Sequence, residues 1–187
     1  TLLVADRPSM RGTEVGGGVT RVGSGNLFMA YTHVAHDCVV GDRTIFGNAS
    51  TLAGHVEVAD DAILSAFCAV HQFCRVGRHA YIGGYTIVTM DALPFAKTVG
   101  SKAVCLGINR IGLQRRGFDA ERLRALESAY RTVVRSGLAT REAIAKLSEA
   151  HPDNEDIAYL IDFIRSSQRG ILKTPPGRGG SRGGATD

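Results

Sequence analysis

Large apolar residues recur at every sixth position from Val22: Val22, Phe28, Val34, Val40, Phe46, Leu52, Val58, Leu64, Val70, Val76, Ile82 and Val88. A chain that is 44% hydrophobic does not produce such a run by chance. The residue after each is mostly small (Gly23, Ala35, Gly41, Gly47, Ala53, Ala59, Ser65, Gly77, Gly83). A second small slot holds Thr32, Cys38, Thr44, Ser50, Ala62, Cys68, Cys74, Ala80 and Thr86. A period of six is neither helical nor that of a simple strand. It marks a β-solenoid of hexapeptide repeats, in which each hexad is a short strand and a tight turn. The large residue points inward, and the small residues let the corners turn. Three hexads close one triangular coil of about 18 residues, so the periodic stretch, residues 15–92, makes about four coils. Neighbouring coils stack about 4.8 Å apart. A solenoid has no closed core, so an uncapped end exposes apolar surface and strand edges.

The pattern stops at Leu93-Pro94. Residues 93–118 read as a loop-rich end of the β-helix, and residues 119–173 as a small helical domain. Asp119 can cap a helix that buries Leu123, Leu126, Tyr130, Val133 and Val134 and ends near Gly137. Thr140 can cap a second helix with Ile144 and Leu147 inward, and Asn154 a third with Ile157, Leu160, Ile161 and Ile164. Residues 174–187 are rich in Gly, Pro and Arg, which predicts a disordered tail. Residues 1–14 lie outside the period.

Composition narrows the class. No run of eighteen apolar residues is present, so no transmembrane helix is expected. Asp6, Arg7 and Ser9 interrupt the short apolar start, which argues against a signal peptide. The four cysteines form no C-x-x-C pair, and Cys38, Cys68 and Cys74 occupy the small slot. Buried, reduced cysteines fit a cytoplasmic protein. The net charge of +4, with Arg75, Arg78, Arg110, Arg115 and Arg116 in the body, suits an acidic partner or a phosphorylated ligand. No nucleic-acid motif accompanies it.

The 18-residue coil places His36, Gly54 and Gln72 in one column, with His55 and His71 beside it. Three histidines distant in sequence therefore share one edge of the prism, within about 10 Å along its axis. His33 lies further along the coil of His36. A neutral imidazole there can take a proton from a ligand hydroxyl. Asp37 can orient the ring, and the Gly54 N–H can face a developing oxyanion. Metal binding is the rival reading, since imidazole is a common zinc ligand. His79 and His151, outside the column, read as surface residues.

These residues carry a resemblance. The segments THVAHDC (32–38), AGHV (53–56), AVHQFC (69–74) and GLQRRGF (112–118), with Arg11-Gly12-Thr13 and Gly16 to Gly18, resemble the UDP-N-acetylglucosamine O-acyltransferases that begin lipid A synthesis. The resemblance runs from about Arg11 to about Lys173. It implies a homotrimeric left-handed parallel β-helix with its active site between subunits and no cofactor, the acyl group arriving on acyl carrier protein. It implies His36 as the base that deprotonates the sugar 3-hydroxyl, and Gly54 as the oxyanion-stabilising amide. His33, His55, His71 and Gln72 would hold the amino-sugar and diphosphate. Asn109, Arg115 and Arg116 would contact the nucleotide, its phosphates and the acidic carrier. Gly84 and Lys102 would set acyl-chain length. Two positions depart from the family: Lys102 stands where a histidine is best known, and Ile111 where some members place an acidic ribose contact. The family also has several coils before Arg11, so the resemblance implies the C-terminal part of a longer enzyme or a truncated product. Other readings are a zinc enzyme of the carbonic-anhydrase type on the same β-helix, the sister N-acyltransferase, and an inactive oligomerising scaffold.

Overall fold

The computed structural model describes residues 18–174. The expectations for residues 1–17 and for the tail from Pro175 onward therefore lie outside the described residues.

The hexads fold as the period requires, into a left-handed parallel β-helix. One face stacks β1 (Arg21–Val22), β4 (Val39–Val40), β7 (Glu57–Val58) and β10 (Arg75–Val76). The second stacks β2 (Leu27–Phe28), β5 (Ile45–Phe46), β8 (Ile63–Leu64) and β11 (Tyr81–Ile82). The third stacks β3 (His33–Val34), β6 (Thr51–Leu52), β9 (Ala69–Val70) and β12 (Ile87–Val88). Every partner is one coil away, as in Arg21 with Val39 and Thr51 with Ala69. The second residue of each strand points inward. Phe46, Leu52, Leu64 and Ile82 are fully buried, whereas Val22, Phe28 and Val34 of the lowest described coil are half-buried.

The corners turn by a means the repeat pattern does not disclose. Tyr31, Asp37, Arg43, Ala49, His55, Asp61, Phe67, Phe73, His79 and Tyr85, each six apart, have φ between 55° and 63°. Left-handed backbone costs a non-glycine residue about 1–2 kcal/mol, and none of these ten is glycine. The small residues beside them leave room for the neighbouring coil; they do not supply the turn. The left-handed residues stack instead in outward columns. Phe67 lies parallel to Tyr85, with ring centroids 5.1 Å apart, and His55 lies parallel to Phe73 at 4.6 Å.

Residues 93–118, expected to be loop-rich, hold more regular structure. Strand β13 (Ala96–Val99) extends the second face beside β11, and β14 (Val104–Ile108) reverses to pair antiparallel with β13. Helix α1 (Arg110–Arg115) follows. The reversal closes the upper end of the solenoid. Leu93, Phe95, Ala96 and Cys105 continue into a core with Leu113, Leu123, Leu126, Tyr130, Leu147 and Ile157 from the helices.

Helix α2 (Ala120–Val134) starts at Asp119, whose carboxylate accepts from Glu121 N and Arg122 N. Helix α4 (Glu155–Arg165) starts at Asn154. Helix α3 (Thr140–Ala150) corrects an expectation: its cap is Ala139, not Thr140. Ala139 N donates to the Glu142 carboxylate, while the Thr140 hydroxyl accepts from Lys173 Nζ. All four cysteines are free and buried. Burial pushes the Cys68 thiol up to about 12 and that of Cys105 to about 11, which makes both poor nucleophiles.

Candidate active site

The corner between the third and first faces brings together the column expected from the period. His36 and Asp37 turn one coil, Gly54 and His55 the next, Gln72 and Phe73 the one above. Left-handed backbone at Asp37 and His55 aims both side chains outward. His36 Nδ1 lies 2.8 Å from Asp37 Oδ2. His55 Nε2 is 3.9 Å from the same oxygen, and the two imidazoles meet edge to face at 5.1 Å. Asp37 Oδ1 accepts from Gly18 N at 2.7 Å.

The hydrogen bond from His36 holds the Asp37 carboxyl below its ordinary value, against desolvation, with help from the Gly18 N–H and the neighbouring His55. An ionised carboxylate only accepts, so His36 must carry its proton on Nδ1. The neutral ring then keeps its lone pair on Nε2, free to take a proton from a ligand. Gly54 makes this geometry possible: a Cβ there would sit 2.6 Å from His36 Cε1 and 2.7 Å from Nε2. Any other residue would push the ring from its place.

Two further groups join this corner. Phe73 backs His55, and its position eighteen residues after His55 makes it legible from the period. Arg169, from beyond the last helix, lies 3.2 Å from His71 Nδ1, and no periodic signal points to it. His71 and Gln72 are exposed on the coil above His55, and His33 is exposed on β3 opposite Thr51.

The remaining expected site residues do not join them on one chain. Asn109, Arg115 and Arg116 belong to the corner between the first and second faces. Asn109 caps α1 and donates from Nδ2 to His79 O. Arg116 pairs with Asp61 at 2.7 Å, while Arg115 is exposed. Gly84 lies at the third corner, and Lys102 is exposed in the turn between β13 and β14. Ile111 is also exposed, on α1. The arginine corner is an ion-pair cluster around Asp61, to which Arg43 and Arg116 both pair. Desolvation raises the Asp61 carboxyl, but the Arg43 bond and the charges of Arg116, His79 and Arg43 outweigh it and hold it below its ordinary value.

His79, expected at the surface, is instead half-buried. It packs against Phe95 at 5.8 Å and Phe118 at 5.2 Å. Burial depresses its pKa below 6.5, with Arg78 and Arg116 adding to the effect and Asp61 opposing it. The folded state thus binds this proton less readily than the unfolded chain, and stability falls as pH drops through about 6.5 toward the folded value. The urea midpoint is expected to decline from about pH 7 to about pH 5.5, and less steeply in His79→Phe. Equal slopes in the two proteins would contradict this account.

His36, Asp37 and His55 also offer one ligand atom each within 4.8 Å of one another, so these three residues could hold a metal ion. Two imidazoles and a carboxylate suit zinc, which takes histidine nitrogen at about 2.0–2.1 Å and leaves a fourth position open in catalytic sites.

The hexapeptide β-helix, with an oriented imidazole at one corner, is similar to the bacterial hexapeptide-repeat transferases. Residues 19–54 match the model described as bacterial transferase hexapeptide (six repeats). Residues 91–172 match UDP-N-acetylglucosamine O-acyltransferase, domain 2. The chain belongs to the UDP-N-acetylglucosamine O-acyltransferase family. It is 49% identical to the acyl-[acyl-carrier-protein]–UDP-N-acetylglucosamine O-acyltransferase of Thiobacillus denitrificans over 162 residues, 87% of this chain and 63% of that protein. It is 43% identical to the enzyme of the same name from an Anaeromyxobacter species over 179 residues, 92% of this chain and 70% of the relative. Among solved structures, the Francisella novicida UDP-N-acetylglucosamine acyltransferase superposes with a TM-score of 0.84 at 39% identity, covering 88% of this chain and 60% of that one. The chain thus spans under two thirds of the length of several relatives it matches.

Proposed function

We propose that this chain carries the general-base half of an acyltransferase site that moves a 3-hydroxyacyl group from acyl carrier protein to the 3-hydroxyl of UDP-N-acetylglucosamine, the first step of lipid A biosynthesis, in the cytoplasm. The observation that carries this reading is the His36–Asp37 pair at 2.8 Å, set against a glycine that no other residue could replace without moving the ring.

His36 Nε2 takes the proton of the sugar hydroxyl as its oxygen attacks the thioester carbonyl. Asp37 steadies the imidazolium that forms. The Gly54 N–H stabilises the tetrahedral oxyanion. Collapse breaks the carbon–sulfur bond, and the imidazolium returns its proton to the departing thiolate. Acceptor sugar, oxyester and free carrier thiol then balance. His33, His55, His71 and Gln72 hold the sugar and diphosphate. Three-fold assembly would supply the arginine corner of a neighbouring copy, with Asn109, Arg115 and Arg116 contacting nucleotide and carrier, and Gly84 and Lys102 gauging the acyl chain.

A zinc-dependent reading draws on the same three ligands and predicts stoichiometric zinc after purification. The deciding assay measures transfer of labelled 3-hydroxyacyl groups from carrier protein to UDP-N-acetylglucosamine, with and without a chelator, alongside equilibrium binding of the nucleotide sugar. Chelator-resistant transfer supports the acyltransferase reading. Loss of transfer on chelation favours zinc, and absence of both transfer and binding overturns the proposal for this chain.

A further inference from the structure

We infer that Arg169 is a positioning residue for the candidate site: it fixes the tautomer of His71 so that Nε2–H faces the ligand as a hydrogen-bond donor. The inference rests on the acyl-transfer reading for its purpose, though not for its geometry.

His71 Nδ1 has two neighbours that ask opposite things of it. Gln72 O, 3.2 Å away, can only accept and would require a proton on Nδ1. An Arg169 guanidinium nitrogen, also 3.2 Å away, can only donate and requires a lone pair there. One nitrogen cannot satisfy both. A guanidinium stays charged, and charge-assisted hydrogen bonds are roughly twice as strong as neutral ones. The arginine therefore wins, Nδ1 is left unprotonated, and the ring proton of neutral His71 moves to Nε2. That hydrogen suits an anionic or carbonyl oxygen of a nucleotide sugar, and the guanidinium adds a positive charge beside it.

Arg169 is held well enough for this task although its side chain is exposed. The segment that carries it is fastened to buried Asp91 on both sides. Ser167 Oγ donates to Asp91 Oδ2 at 2.8 Å, Asp91 N donates to Gly170 O at 2.8 Å, and Leu172 N donates to Asp91 O at 2.9 Å. Asp91 also accepts from Arg75 N and Nε. Gly170, with φ of +75°, makes the turn that returns the chain to the solenoid. The segment after the last helix thus reaches back to this corner through Arg169, 98 residues from His71 in sequence.

Long-range ¹⁵N–¹H correlation of the histidine rings tests this without relying on activity. In the unaltered chain, neutral His71 is expected as the Nε2–H tautomer. In Arg169→Gln it should shift toward Nδ1–H bonded to Gln72 O, and Arg169→Lys should restore part of the original signal. Predominance of Nδ1–H in the unaltered chain, or an unmoved His71 signal in Arg169→Gln, would overturn the inference. A second arm measures binding of UDP-N-acetylglucosamine. Arg169→Gln and His71→Ala should each weaken it by about tenfold, which corresponds to about 1.4 kcal/mol. The double variant should lose little more, because both changes remove one coupled interaction. Fully additive losses would also overturn the inference. If the unaltered chain binds no nucleotide sugar, the proposed function fails while the tautomer result still judges Arg169.

Discussion

Replacing His36 with alanine is expected to lower acyl transfer by about 10²–10⁴-fold, the usual contribution of a positioned general base. The expectation rests on geometry. Asp37 fixes the ring's tautomer and orientation from 2.8 Å, so the variant loses a poised lone pair and not a loosely tumbling side chain. The fold should survive the change, because His36 contributes to the ladder through its backbone: its carbonyl accepts from His55 N at 3.0 Å. KM for the nucleotide sugar should move little, since the imidazole's hold on the hydroxyl proton strengthens chiefly in the transition state. Steady-state kinetics of the variant beside the parent chain reads this directly. Unchanged kcat would remove His36 from the chemistry.

Phe46→Ala is expected to cost about 3–5 kcal/mol of stability, as for other fully buried aromatic truncations. Phe46 is completely shielded from solvent and stacks on Phe28 at 4.8 Å. The cavity cannot close by shifting the coils together, because the ladder bonds fix their spacing: Met29 N donates to Phe46 O at 2.9 Å, and Gly47 N to Leu64 O at 2.7 Å. Phe28→Ala, at a half-buried position of the lowest described coil, should cost clearly less. Equilibrium urea denaturation compares the two. A loss below about 1 kcal/mol at Phe46 would mean that the coils do yield.

The solenoid and its principal column are legible in the sequence because both follow from one number. A period of six places Phe46 inside, and three such periods place Gly54 over His36 and Phe73 over His55. What stays hidden depends on interactions with no period. The left-handed corners fall also on Tyr31, Ala49 and Phe67, residues with no intrinsic preference for that backbone; hydrogen bonds between coils, such as Ala49 N to Ala30 O and Phe67 N to Asn48 O, hold the corners. β13 and β14 are short and close the end of the prism by reversing direction, which no repeat can signal. The repeat alone puts His79 at an exposed corner, yet Phe95 and Phe118, from the non-periodic segment, cover it. Arg116, which the resemblance assigns to nucleotide and carrier, also pairs with Asp61, a partner that no period signals. Arg169 is invisible for the same reason: its partner is chosen by the path of the chain after α4, not by spacing.

The corner columns give this molecule a unit of length. Adding one residue between His36 and His55 would shift every later inward side chain out of place. Adding six would keep the interior intact and yet carry His55 to the next corner, away from Asp37. Only a whole coil of eighteen leaves both packing and chemistry in register, so changes in the number of residues along the periodic segment are tolerated, as far as the site is concerned, in whole turns of the prism.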